Sequence, residues 1–274
     1  MKWLKLTLLA ALTLYLIAAA AVFLLQRKLL YFPPNIYLTP TAVGVPEMTE
    51  IEIRFSDRAG WATAWYAPPS DPDGKVVMVF HGNGSAVYSN HDIFHNLINQ
   101  GYGVWSVGYP GYPGRSPILA KPSEYNLVEG AKVQYGWLIE EGIKPENIIF
   151  YGTSLGSGVA AQLAVRHKPT LIIMDAPFNS VLDMGKKQVP WLPVSLLMKD
   201  KFQSDKALAN LDVPLIWIHG TADSVIPLAQ GQKLYDGYSG SKVAHIIQNG
   251  QHTNLWFLGG REIVLNALAV GRPE

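Results

Sequence analysis

Hydrophobic positions fall into two kinds of run. The first is LTLLAALTLYLIAAAAVFLL, Leu6 to Leu25, about 20 residues without a charge. The others are short and bounded by glycine, proline or charged residues. EIEIRFS (Glu50–Ser56) alternates charged and apolar positions, as a half-buried strand does, and WATAWYA (Trp61–Ala67) predicts its hairpin partner. KVVMVFHG (Lys75–Gly82) is continuously apolar, the pattern of a strand covered on both faces. Further strands are predicted at Gly103–Val107, Ile148–Tyr151, Leu171–Pro177, Pro214–Gly220 and Ala244–Gly250. Helical periodicity fills Asn90–Asn99, Glu124–Glu141, the stretch after Tyr151, Ala229–Tyr235 and Leu255–Ala269. Two antiparallel strands leading into repeated βα units predict an α/β fold, a mostly parallel eight-stranded sheet with helices on both faces.

The stretch from about 177 to 213 breaks this alternation. It holds VPWLPVSLL (Val189–Leu197), apolar and interrupted by prolines, followed by the polar KDKFQSDKAL. A small helical insertion over one end of the sheet fits this composition, and ligand sites in open α/β sheets lie at the carboxyl ends of the strands. The insertion is expected to act as a cap; the competing reading is a long helix-bearing connection.

The Leu6–Leu25 run is long enough for a bilayer core of roughly 30 Å at 1.5 Å per residue. A signal peptide cleaved after Ala18-Ala19-Ala20 is the alternative, but the run continues through Val22-Phe23-Leu24-Leu25. Residues 1–30 are therefore expected to form an N-terminal membrane anchor and juncture, and 31–274 the globular domain. Lys2, Lys5 and the amino terminus stand against Arg27 and Lys28, a small bias toward a cytoplasmic N-terminus and a non-cytoplasmic domain. YFPP after the anchor predicts a short stiff linker.

The net charge of +1 over 274 residues lacks the basic excess of a nucleic-acid binder. The chain has no cysteine, which excludes disulfides, thiolate catalysis and cysteine-ligated metals.

One junction carries candidate chemistry. Gly152-Thr153-Ser154-Leu155-Gly156 lies between a short apolar strand and a helix rich in small residues. A G-x-S-x-G at a strand-to-helix turn is the nucleophile elbow of α/β-hydrolases, with the serine on a strained backbone and its hydroxyl outward. Crowding at such a turn requires very small neighbours. A serine hydroxyl needs a base, and in this arrangement the base is a histidine after the last strand, with the acid between the two in the chain. Of seven histidines, His81 and His219 end strands, His91, His95 and His167 fall on helices or their ends, and His245 lies within a strand. His252, in NGQHTNLW, follows the last strand in a glycine-bearing loop. Asp175 in IMDAP and Asp223 in HGTADSVIP both end strands from which an acid reaches that histidine. The loop FHGNG (Phe80–Gly84) suits an oxyanion hole, with backbone N–H donors from Asn83 and Leu155. His81 is expected to brace this loop.

FHGNG, GYPGYPGRS, GTSLGSG, DAPFNSV, HGTADSVIP and GQHTN occur in order from about Tyr31 onward. Together they resemble the α/β-hydrolase superfamily. QRKLLYFPP and PSEYN are similar to its membrane-anchored branch, which includes protein depalmitoylases and lysophospholipid lipases. One departure is SVGYPGYPGRS (Ser106–Ser116), where many relatives resemble DYRGYGRS. The resemblance favours Asp223, within a glycine–aspartate–apolar–proline pattern, as the acid, leaving Asp175 a loop cap or ion-pair residue. It implies a Ser154–His252–Asp223 triad cleaving carboxylic esters or thioesters of acyl or lipid-like substrates, with no cofactor and no metal. Trp191, Leu196 and Leu197 of the insertion are then candidate contacts for an acyl chain. Two other classes carry the same motifs: a serine peptidase of the prolyl-oligopeptidase kind, for which the chain offers no propeller domain, and an inactive hydrolase fold used for binding.

Overall fold

The central strands alternate between two cores. In β3 (Val76–Phe80), Val76, Met78 and Phe80 join one buried cluster while Val77 and Val79 join another. In β5 (Ile148–Thr153), Ile148 and Phe150 face the first and Ile149 and Tyr151 the second. Burial on both faces is why these segments are continuously apolar.

The computed structural model describes residues 1–55, 60–115 and 120–270. The remaining β-strands are β1 (Thr49–Arg54), β2 (Trp61–Ala67), β4 (Gly103–Ser106), β6 (Ile172–Asp175), β7 (Leu215–Gly220) and β8 (Lys242–Ile247). They form one eight-stranded sheet in the order β1-β2-β4-β3-β5-β6-β7-β8. The β1–β2 and β2–β4 pairs are antiparallel and the rest parallel. The expected fold is the observed one. Ser56, the last residue predicted for the first strand, lies outside the described residues, as does Ser116, the last residue of SVGYPGYPGRS.

α1 (Lys2–Leu30) precedes the sheet. It extends beyond the Leu6–Leu25 run at both ends and is long and apolar enough to cross a membrane by length and composition. The helices of the α/β repeat are α2 (His91–Asn99), α3 (Glu124–Glu140), α4 (Leu155–Ala164), α8 (Leu228–Gly237) and α9 (Gly260–Val270). α3 starts where Ser123 caps it, accepting from the Asn126 N–H at 3.1 Å. The single helix expected over Leu255–Ala269 is split. A short 3₁₀ turn at Trp256–Leu258 ends at Gly259, whose φ is 112°, and α9 begins after it.

Between β6 and β7 lie α5 (Val181–Gln188), α6 (Val194–Leu197) and α7 (Ser204–Leu208). This insertion is docked on α1. Leu182, Leu192 and Val194 form a small buried cluster against which Ala19 and Val22 pack. Arg27 donates to both carboxylate oxygens of the buried Asp200, at 2.7 and 3.0 Å. The linker after α1 is tied down as well, because Tyr31 is buried in the main core.

β3 is flanked by β4 on one side and β5 on the other, so successive crossovers leave it in opposite directions. A crevice opens at the carboxyl ends there. Its floor is very tight. A Cβ on Gly156, at the start of α4, would lie 2.0 Å from the Phe80 carbonyl oxygen at the end of β3. Gly156→Ala is expected to lower unfolding stability by at least the 1–3 kcal/mol typical of an overpacked core. Gly84→Ala, at an exposed position with nothing within 4 Å of its Cβ, should stay within about 0.5 kcal/mol of the parent. Urea denaturation of the two variants checks the contrast.

Candidate active site

Ser154 occupies the turn between β5 and α4 with φ 53° and ψ −119°, a conformation that L-residues other than glycine rarely adopt. The Ser154 N–H donates to the Asp175 carbonyl at 2.9 Å, which fixes the turn to the neighbouring strand. The glycines on either side are required by contact. A Cβ on Gly152 would come within 2.8 Å of Gly156 O and 2.7 Å of Ser157 Cα.

Ser154, His252 and Asp223 form one hydrogen-bonded chain although they are far apart in sequence. His252 Nε2 lies 2.9 Å from Ser154 Oγ, and His252 Nδ1 lies 2.7 Å from Asp223 Oδ2. A neutral imidazole with its proton on Nδ1 donates to Asp223 and accepts from the serine hydroxyl. Asp223 is buried behind it, and its other oxygen accepts from the N–H groups of Val225 (2.9 Å) and Ile226 (2.8 Å). Burial pushes this carboxyl up, but the bonds from His252 and the two amides outweigh it and hold Asp223 below its ordinary value.

The loop after β3 passes beside the serine. A Cβ on Gly82 would be 3.5 Å from Ser154 Cβ, in ordinary van der Waals contact with it. Asn83 follows, and its side chain has three partners: Oδ1 accepts from the Phe32 N–H and the Tyr112 hydroxyl, both at 3.0 Å, and Nδ2 donates to the Leu30 carbonyl. Leu155 is the first residue of α4, whose free N–H groups point at the same crevice. His81 sits beneath the loop, its ring tilted against that of Tyr109 with centroids 4.1 Å apart, and Tyr109 donates to the His81 carbonyl. Burial pushes the His81 imidazole down to about 4, so it is neutral, and its Nδ1–H donates to the Gly82 carbonyl at 2.9 Å.

Asp175 is neither a loop cap nor half of an ion pair among the described residues. It accepts from the Tyr151 hydroxyl at 2.9 Å and lines a cavity of about 110 Å³ beside His252, together with Thr153, Ile93, Trp256 and Phe257. Burial pushes its carboxyl up to about 6, Tyr151 and His252 pull it down, and Asp223 adds repulsion. His219, also passed over in the sequence, is buried under the acid: Nε2 is 2.9 Å from the Ile226 carbonyl and 3.6 Å from Asp223 Oδ2. Desolvation lowers its pKa, so it braces the 223–226 turn as a neutral donor. The only sequence signal was a His-Gly pair ending a strand, shared with His81-Gly82.

Trp191, Leu196 and Leu197 are not brought to Ser154. Trp191 packs edge-on against Tyr15 of α1, with ring centroids 6.0 Å apart. Leu197 joins the cluster on Ala19 and Val22, and Leu196 is 84% exposed. None of the three lines the cavity beside His252. Among the described residues, no group of three or more His, Cys, Asp or Glu side chains could hold a metal.

Residues 75–209 match the family model of the α/β hydrolase fold. An uncharacterized protein of Mycobacterium tuberculosis is 28% identical over 247 residues, 89% of this chain and 85% of its own length. The lysophosphatidylserine lipase ABHD12 of Danio rerio is 28% identical over 198 residues, and the match covers 65% of this chain and 51% of that protein. Among solved structures, the Pyrococcus furiosus esterase Pf2001 superposes with a TM-score of 0.68 at 18% identity, over 88% of this chain and 96% of that one.

The Asp175 shift makes a pH prediction. The folded protein holds this proton more tightly than the unfolded chain, whose carboxyl titrates near 3.8. The group's stabilising contribution is therefore full below about pH 4 and is lost as pH rises through about 6. Asp175→Asn keeps an acceptor for Tyr151 and removes the ionisation. Relative to the parent it is expected to gain stability between pH 4 and pH 7.5, on the order of 3 kcal/mol. Thermal unfolding across that range measures the difference.

Proposed function

We propose that this chain, which belongs to the α/β-hydrolase superfamily, is a serine hydrolase cleaving carboxylic esters or thioesters of acyl, lipid-like substrates through an acyl-enzyme. The observation that carries the proposal is the unbroken chain from buried Asp223 through His252 to the strained Ser154.

The chemistry follows from the atoms. As Ser154 Oγ attacks the acyl carbonyl, His252 Nε2 takes its proton. The imidazolium so formed keeps its Nδ1–H on Asp223, which remains an anion and stabilises it. The carbonyl oxygen acquires negative charge and is received by the N–H groups of Asn83 and Leu155. Collapse expels the alcohol or thiol, which takes the proton from Nε2. Water then enters, loses a proton to His252 and attacks the acyl-enzyme, and the carboxylic acid leaves as the proton returns to Ser154 Oγ. Esters and thioesters suit this site because their leaving groups need less protonation than amines.

A lipid-like substrate is supported by two features. The Danio rerio relative is named as a lipase of a lysophospholipid, and α1 would hold the site at a membrane. We assign residues 1–30 to the anchor and juncture, 31–274 to the hydrolase domain, and 177–213 to a cap-like insertion. The slight excess of positive charge at the amino-terminal end favours the non-cytoplasmic side for the domain.

Two measurements test the reading. A fluorophosphonate probe is expected to label the parent and not Ser154→Ala. Against a panel of acyl esters, thioesters and dipeptidyl amides, Asp223→Asn should lose about 10⁴-fold in kcat with unchanged unfolding, since the amide would impose the wrong imidazole tautomer. Asp175→Asn should lose far less. Labelling of Ser154→Ala, or turnover of amides in preference to esters, would overturn the proposal. A milder loss is expected of Asn83→Ala, which keeps the backbone donor but releases it from Leu30, Phe32 and Tyr112. A displacement near 1 Å costs up to about 10²-fold, so kcat should fall by no more than that while probe labelling of Ser154 persists.

A further inference from the structure

The docking of α1 limits how the chain can meet a membrane. Contacts with the insertion run along one side of the helix, from Tyr15 to Arg27. The Tyr15 hydroxyl donates to the Trp191 carbonyl at 3.3 Å. Ala19 and Val22 pack on the Leu182–Leu192–Val194 cluster. Gln26 donates to the Leu197 carbonyl at 3.1 Å and accepts from the Lys199 N–H at 2.7 Å. Only the segment before Tyr15 extends free of the domain. Its uncharged part, Leu6–Leu14, is about 13 Å long at 1.5 Å per residue, less than half of a bilayer core of about 30 Å. A span over Leu6–Leu25 must therefore include the docked half, and whatever is docked there enters the bilayer with it.

The docked segment has the composition for that environment. Val189–Met198 contains no charged residue and is bounded by Lys186 and Lys187 on one side and Lys199 and Lys201 on the other. Long basic side chains at such boundaries reach back to the headgroups. Its backbone is nearly self-sufficient, as hydrocarbon demands. The N–H groups of Val189, Leu192, Val194, Leu196, Leu197 and Met198 are bonded within residues 185–198, and Pro190 and Pro193 have none to satisfy. The outward-facing side chains are apolar apart from Ser195, with Trp191 51% and Leu196 84% exposed.

We infer that residues 189–198 are a second membrane contact, an uncharged flap that enters the bilayer beside Tyr15–Leu25 and seats the hydrolase domain directly on the lipid surface. This rests on the reading of α1 as a membrane span. It also places the site. Leu30 is five residues beyond Leu25, roughly 8 Å along the helix, and its carbonyl holds Asn83 beside the serine. The crevice at Ser154 then opens at headgroup level, where the ester or thioester of a membrane-resident lipid lies, and the chain draws its substrate from the bilayer.

The absence of cysteine permits a clean test. Leu196→Cys, Leu8→Cys and Val165→Cys, all at exposed positions, are each labelled with an environment-sensitive fluorophore in the full-length protein. The labelled proteins are reconstituted in phosphatidylcholine vesicles with or without 5-doxyl and 12-doxyl phosphatidylcholine. Val165 follows α4 at the end of the sheet opposite the crevice. Blue-shifted emission and quenching by doxyl lipid are expected at positions 8 and 196 and not at 165. Quenching at 8 without quenching at 196 would overturn the inference and leave the anchor standing. Quenching at 165 equal to that at 196 would overturn it also, since the domain would be adhering without orientation. No quenching at 8 would remove the anchor reading itself, and the inference with it.

Discussion

Phe80 and Gly156 meet so closely that a side chain at 156 has no room, and the geometry of the crevice follows from that contact. It presses the first turn of α4 against the end of β3. The residue before that turn, Ser154, takes a positive φ of 53°. The loop after β3 also passes close to the serine, near enough that a Cβ on Gly82 would stand in van der Waals contact with it. In the mechanism we propose, the substrate oxygen is received by two backbone amides from different elements, those of Asn83 and Leu155, and by no flexible side chain. Preorganisation of this kind favours charge developing on a substrate oxygen, because no donor has to reorient during reaction.

The two carboxylates at the ends of β6 and β7 show how environment separates identical groups. Both are buried and both are penalised by desolvation. Asp223 receives two amide donors and the histidine, which more than compensates. Asp175 receives a single hydroxyl, which does not. Near neutral pH Asp223 is therefore the firmer anion, the state needed to orient and stabilise an imidazolium. The proposed roles rest on the 2.7 Å bond between His252 and Asp223, where Asp175 is bonded to Tyr151 instead, and on the donors that keep Asp223 ionised.

The sheet was legible because strands buried on both faces leave an unmistakable continuous apolar run, as at Val76–Phe80. The serine turn was legible because close approach permits only glycine at 152 and 156. His252 could be picked out by its position after the last strand, but Asp223 needed a family likeness, since spacing alone admitted Asp175. Other features were invisible for physical reasons. His219 supports Asp223 through the Ile226 carbonyl, and a backbone partner leaves no sequence signature. The amide of Asn83 ties the juncture to the crevice, a contact between positions about 50 residues apart with no periodicity to betray it. The split at Gly259 also escaped, because a helical pattern continues across it.

An acyl pocket, expected of the insertion from its sequence, and the lipid-facing surface we infer ask for the same composition. Trp191, Leu196 and Leu197 satisfy both, and no count of apolar residues distinguishes them. What distinguishes them is α1. A helix that served only as a tether would have no use for hydrogen-bonding side chains along one face, since each unpaired polar group in hydrocarbon is costly. Yet Tyr15 and Gln26 lie on the same face as Ala19 and Val22, at helical spacing, and both find their partners in the insertion. One of these side chains lies inside the apolar run and the other just beyond it, and docking pairs both. The helix is thus part of the folded unit as well as a candidate anchor, and the Asn83 contacts carry its position through to the crevice where the serine stands.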